Sequence, residues 1–205
     1  MKLAEDLYAY PWQGNDNNCN TYLFAKVLKD NKHIIIDPGH IVTPYTGERA
    51  AQTLLKNIKN DELNPEDIGM VILTHAHPDH IEAAWHFQKE YNAIIGLSKN
   101  DEVLYKKIGG YEKIDFFIES GELKYEDWVQ EKIEIYDVPG HSPGHIAVYW
   151  PEKKALAAGD VIFYKSTGRV DLPGGNAAEL KNSIDKLSKL DVEYLLCGHA
   201  YGHPG

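Results

Sequence analysis

Short apolar runs alternate along the chain with amphipathic stretches, and each kind predicts an element. Residues 20–28 are rich in β-formers, and residues 33–37 (His-Ile-Ile-Ile-Asp) make a short apolar strand closed by Pro38-Gly39. Apolar positions at Ala50, Ala51, Leu54, Leu55 and Ile58 recur at helical spacing and predict a helix over 46–60. Residues 70–73 read as a buried strand that runs straight into His75. A helix over 79–90 follows, its start marked by the capping-box spacing of Asp79 and Glu82. Strands are expected at 93–97, 133–138, 145–150, 154–158 and 194–197, and helices at 101–107 and 177–190, the last with Leu180, Ile184 and Leu187 on one face. Residues 113–129 predict an irregular excursion with one or two strands. Strands and helices mix throughout without a fixed repeat, which says α/β.

The length, 205 residues, suits one domain over 1–205, and a 43% hydrophobic content allows a full core. The formal charge of −10 and the lack of a basic run argue against a nucleic-acid partner. The longest apolar runs fall far short of the roughly 20 residues a spanning helix needs, so no membrane association is expected. Acidic residues interrupt the N-terminus at once, so it does not read as a secretory signal. Cys19 and Cys197 are too few for a disulfide framework and read as reduced thiols of a cytoplasmic protein.

The candidate chemistry lies in the histidines. Thr74-His75-Ala76-His77-Pro78-Asp79-His80 packs three imidazoles and a carboxylate behind an apolar strand. His75 and His77 face the same way if the backbone stays extended, and His80 approaches from the first helical turn. Further strands lead into Gly140-His141, Gly159-Asp160 and Gly198-His199. Imidazole nitrogen and carboxylate oxygen suit zinc, iron and related metals. Any one of these residues alone reads more simply as a cap or a loop residue. The ordered set at strand ends reads as a metal site.

His-x-His-x-Asp-His followed by Gly-His, Gly-Asp and Gly-His resembles the metallo-β-lactamase superfamily, with a match from Asp37 to His199. The resemblance implies a four-layer αβ/βα sandwich with metals at one edge between the sheets. It implies one ion on His75, His77 and His141, a second on Asp79, His80 and His199, and Asp160 bridging them. Asp37 matches the family's early Asp, which orients the site. Gly140-His141-Ser142-Pro143-Gly144-His145, Gly159-Asp160-Val161-Ile162-Phe163 and Gly168-Arg169-Val170-Asp171 look like segments of the glyoxalase II-like branch, and His145 is read there as an orienting residue. His141 and Asp160 argue against the B1 lactamases, and Cys197 reads as core. Two features depart from the pattern: Glu82-Ala83 stands where Gly-Gly is usual, and the chain reaches Gly205 without the C-terminal helical domain of full-length glyoxalase II.

What the resemblance implies is a hydrolase with two divalent ions, zinc first and iron or manganese next, acting on a small-molecule substrate. Metal binding lowers the pKa of water from about 15.7 to about 7, so hydroxide would be available to attack a thioester, ester or lactone carbonyl. Asp79 would orient it or shuttle its proton. Tyr164, Lys165 and Arg169 are candidates for substrate contact, with a solvated basic loop as the plainer reading. His40 is a further residue near the motif, read by default as a surface histidine; His33, His86 and His203 carry no motif. The runner-up is a mononuclear iron persulfide dioxygenase-like enzyme using His75, His141 and Asp160; a non-catalytic metal-binding scaffold ranks below it. Glutathione recognition, and a homodimer, are left open.

Overall fold

The computed structural model describes residues 1–108 and 113–200; His203 lies outside them. Seven strands form one sheet in sequential order: β1 (Lys2–Ala4), β2 (Leu7–Tyr10), β3 (Thr21–Phe24), β4 (His33–Ile36), β5 (Ile68–Ile72), β6 (Ile94–Ser98) and β7 (Phe116–Ile118). Its first half is antiparallel, and β4 to β7 pair in parallel. A second sheet runs in the order β14-β11-β10-β9-β8, from β8 (Gly121–Glu122), β9 (Glu134–Asp137), β10 (Ile146–Trp150), β11 (Ala155–Gly159) and β14 (Tyr194–Cys197), with β11 and β14 parallel. A two-strand hairpin, β12 (Ile162–Phe163) and β13 (Ser166–Thr167), stands apart. The helices are α1 (Ala50–Asn60), α2 (Pro78–Ile81), α3 (Ala84–Tyr91), α4 (Glu102–Lys107) and α5 (Ala177–Leu187).

Strand periodicity creates the layers. Side chains alternate across a strand, so Ile34, Ile36, Met70 and Ile72 meet Ile146, Val148, Trp150 and Ala157 between the two sheets. Their neighbours Ile35 and Val71 face outward, onto Leu54 and Ile58 of α1 and Phe87 of α3. On the other side, Ala147, Tyr149, Leu156 and Ala158 pack on Leu180 and Leu187 of α5. Both faces of these strands are covered, which is why they read as continuous apolar runs. The result is the four-layer αβ/βα sandwich. Among the described helices none is long and apolar enough to cross a membrane.

Two expectations change. The helix over 79–90 is split into α2 and α3. At the break the Ala83 N–H donates to the Gly39 carbonyl, and the Asp79 carbonyl accepts from Cys19 N–H. Both ends of the missing helical bond have thus been taken by neighbouring loops. The capping box is also absent: His77 is the N-cap and caps with no side-chain bond, while Asp79 and Glu82 turn to His199 and His40 instead. The excursion at 113–129 holds two short strands, β7 and β8. The hairpin β1–β2 and the hairpin β12–β13 were not anticipated.

Candidate metal centre

The site residues follow the carboxyl ends of strands, where an open α/β sheet leaves room for ligands. Asp37 follows β4, Thr74 and His75 follow β5, and His141 and His145 lie between β9 and β10. Asp160 follows β11, and His199 follows β14. All of these are buried, as is His80 on α2. Among the described residues three groups have ligand atoms within 4.8 Å of one another: His75, His77 and His141; Asp79, His80 and His199; and Asp37, His75 and His80, in which Asp37 is already engaged by Thr74 and His80 Nδ1. Asp160 stands between the first two, with Oδ1 3.4 Å from His80 Nε2, and Oδ2 3.6 Å from His141 Nε2 and 3.5 Å from His199 Nε2.

Hydrogen bonds fix which ring nitrogens are available. The Asp37 carboxylate accepts from Thr74 N–H at 2.8 Å, from the Thr74 hydroxyl at 2.6 Å and from His80 Nδ1 at 2.8 Å. With the Thr74 proton committed to Asp37, the Thr74 oxygen accepts from His75 Nδ1 at 3.0 Å. His141 Nδ1 donates to the Arg169 carbonyl at 2.8 Å. His75 and His141 therefore carry their proton on Nδ1 and present Nε2 as a lone pair, while His80 has Nδ1 committed to Asp37 and turns Nε2 toward Asp160. His75 Nε2, His80 Nε2 and Asp160 Oδ1 are buried with no hydrogen-bond partner among the described residues, and His77 Nδ1 and His141 Nε2 converge to 2.9 Å. The His141 Nε2 lone pair faces the Asp160 carboxylate at 3.6 Å and the His75 lone pair has no donor, and such converging acceptors are satisfied by a cation, so this donor set fits metal ions.

Charge follows the same geometry. Burial, then the surrounding imidazoles, hold His75 well below the usual histidine range. Burial and His141 bring His77 down to about 4. Burial opposes a proton on His80, but Asp160 and Asp37 outweigh it and hold its pKa well above the ordinary value. Burial likewise opposes ionisation of Asp160, yet His80 and His199 bring it down to about 2. Asp79 is held below the usual carboxylate range against burial, first by its bond to His199. The centre keeps Asp79 and Asp160 ionised and His75, His77 and His141 neutral, as metal binding needs, and His80 gives up its proton when it ligates.

Glycine is required behind the ligands. A Cβ on Gly198 would run into Asp160 Oδ1 and stand 3.0 Å from His80 Cε1. Gly159, at φ +49°, would bring a Cβ to 2.6 Å from His145 Cε1 and from Thr74 Oγ1. His145 stacks on His75 at 4.6 Å between ring centroids, and its Nε2 accepts the Asp160 backbone N–H at 3.0 Å. That nitrogen is spent on the backbone, so His145 supports the centre without a free lone pair for it.

A cleft of about 610 Å³ opens over the centre, lined by Tyr45, Leu104, Phe163, Arg169, Leu172 and Pro173 together with His77, Asp79, His141, Asp160 and His199. Arg169 makes a two-pronged ion pair with Asp171 at 2.7 Å. Tyr164 and Lys165 form the turn between β12 and β13, with the Lys165 ammonium 4.9 Å from the Tyr164 ring centroid, and the described lining of the cleft does not include them. His40 is buried rather than superficial and bonds Glu82 through Nδ1 at 2.8 Å. His33 accepts from the Lys26 N–H, and His86 packs against Phe87 and Tyr91. Cys19 and Cys197 are free thiols; Cys19 is buried, and Cys197, half-buried on β14, lends its carbonyl to Asn20 and Tyr22.

Residues without a sequence signal also act here. Asn17 Nδ2 donates to Asp79 Oδ2 at 2.8 Å. Thr74 belonged to the motif, but its role as a relay between Asp37 and His75 emerges only from the packing. Asp101 read as the first residue of a helix and nothing more.

A two-sheet sandwich that gathers imidazoles and carboxylates at one edge is the architecture of a metal-dependent hydrolase. The family model described as the metallo-beta-lactamase superfamily matches residues 14–199, and the chain belongs to that superfamily, in its glyoxalase II-like branch. The hydroxyacylglutathione hydrolase GloC of Haemophilus influenzae is 33% identical over 180 residues, which cover 80% of this chain and 78% of that protein. A hydroxyacylglutathione hydrolase of Bartonella tribocorum is 36% identical over 133 residues, and there the chain spans about half, 48%, of the relative's length. Among solved structures, the BLEG-1 B3 metallo-beta-lactamase superposes with a TM-score of 0.74 at 25% identity, covering 94% of this chain and 91% of that one. TTHA1623, solved in a di-iron-bound form, gives 0.70 at 27% identity over 93% and 91%.

Proposed function

We propose that this chain hydrolyses a thioester of the acyl-glutathione class at a two-ion centre. The observation that carries the reading is the meeting of two three-residue clusters at the Asp160 carboxylate. In it, His75, His77 and His141 hold one ion, Asp79, His80 and His199 hold the other, and Asp160 lies between. The relative named hydroxyacylglutathione hydrolase GloC supports the substrate class, and the di-iron form of TTHA1623 supports a pair of ions. The donor set is nitrogen and oxygen without a thiolate, which suits zinc and also accepts iron or manganese. When bound, the ions supply Lewis acidity toward the carbonyl oxygen and make hydroxide available near neutral pH.

The chain's own residues do the rest. Asp79 stays ionised and is steadied by Asn17 and His199, so its carboxylate accepts a hydrogen bond from the attacking water and fixes the direction of attack. Asp37, through Thr74 and directly, keeps the protons of His75 and His80 on Nδ1. The cleft walls of Leu104, Phe163, Leu172 and Pro173 take the apolar part of a substrate. A panel of hydroxyacylglutathione, simple acyl thioesters, esters and lactones tests the reading, with thiol release followed optically. Turnover of thioesters above the other classes is expected. Metal-loaded protein that hydrolyses none of them, or that converts a persulfide to sulfite instead, contradicts it.

A further inference from the structure

Asp101 stands just before α4, outside both ligand clusters, and is fully buried. Its Oδ2 accepts from the Ala76 N–H at 2.9 Å and from the Ser142 hydroxyl at 2.8 Å. Its Oδ1 accepts from the Gly144 N–H at 2.6 Å. Ala76 lies between His75 and His77, Ser142 directly follows His141, and Gly144 directly precedes His145. One carboxylate thus ties the loop after β5 to the loop between β9 and β10. The approach is close: a Cβ on Gly144 would run into the Asp101 backbone nitrogen. The second cluster is anchored elsewhere, His80 on Asp37 and Asp79 on Asn17.

We infer that Asp101 is a positioning residue that locks the loop of His75 and His77 to the loop of His141, and so sets the geometry of one ion position without touching the other. The inference rests on the two-cluster reading above. Its chemistry is that of an acceptor with two separate faces. Asn at 101 keeps the shape but turns one face into a donor. If its NH2 faces Gly144, the Gly144 N–H loses its acceptor; if it faces Ala76 and Ser142, the Ala76 N–H loses its acceptor and the Ser142 hydroxyl has to reverse and accept. No rotamer of Asn accepts from all three donors, whereas the carboxylate does.

The test is a cobalt titration of the metal-free full chain, with the visible cobalt bands reporting each site and a chromophoric chelator competing for the metal. Wild-type protein takes up two equivalents. Asp101→Asn is expected to weaken one site by at least about tenfold, in the range found for residues that orient metal ligands, and to alter the cobalt bands of that site while the other keeps its affinity. Ser142→Ala removes one of the three bonds and is expected to give a smaller loss at the same site. If Asp101→Asn does not fold, Ser142→Ala decides by itself. Equal weakening of both sites, or no weakening in a folded variant, overturns the role of Asp101 and leaves the metal reading intact. A wild-type chain that binds no cobalt overturns the metal reading, and this inference with it.

Discussion

Asp37 and His80 are joined by a 2.8 Å hydrogen bond between Oδ2 and Nδ1, with both side chains buried. Asp37 takes a left-handed backbone, φ 50°, a conformation that costs free energy for a non-glycine residue and that Asp tolerates better than most. The same carboxylate receives both Thr74 donors, so one side chain directs two imidazoles into the centre. Asp37→Ala is expected to lower metal affinity by about 10–100-fold. Competition against a chromophoric chelator measures it, and an unchanged affinity would show that the two rings need no orienting partner.

Asp79 carries a separate prediction. Its carboxylate faces the cleft and is held ionised. Asp79→Ala, assayed with the metal sites saturated, is expected to lose on the order of 10²-fold or more in kcat. Near wild-type turnover at full occupancy would remove Asp79 from the chemistry.

Gly198 has no room for a side chain against Asp160 and His80. Gly198→Ala is expected to displace Asp160 and to cost about 1–3 kcal/mol, as overpacking does. Urea denaturation reads the stability and metal analysis the displaced carboxylate. Wild-type values in both would mean that the backbone at 198 yields freely.

Much of this was legible in the sequence, and what was hidden shares one cause. Spacing exposed His75, His77, Asp79, His80, His141, Asp160 and His199 because these residues fall within one six-residue segment or stand behind Gly at strand ends, and the structure brings them together. Apolar runs exposed β4, β5, β10 and β11 because these strands are covered on both faces of the sheet. The residues that hold the ligands in place were invisible. Asp101, Asn17 and Ser142 are single polar side chains whose partners lie 25 to 62 positions away. The break between α2 and α3 was hidden for the same reason, since the competing partners Gly39 and Cys19 come from distant loops.

The wall of the cleft carries a pH prediction. Asp16 accepts the N–H groups of Tyr45 and Thr46, both at 2.7 Å, and ties the loop that bears Tyr45 to the segment that bears Asn17. Burial opposes its ionisation, but the Thr46 and Tyr45 donors outweigh it and hold the carboxyl well below its usual range. A folded value below the unfolded one means stability that is fully present above about pH 4 and lost as pH falls toward the folded value. Asp16→Asn should therefore destabilise the metal-free protein near neutral pH, and its gap from wild type should narrow between pH 4 and lower values. Urea denaturation of both proteins at neutral and acid pH measures the gap, and a gap that widens on acidification contradicts this assignment.

The central claim is a centre of two ions meeting at Asp160. Metal analysis by mass spectrometry, on protein purified without added metal and then reconstituted and desalted, tests it most directly. Two equivalents of divalent metal per chain, falling to one or none in Asp160→Ala, are the predicted result. A single equivalent in the wild-type chain, unchanged by loss of Asp79 or His199, would contradict it.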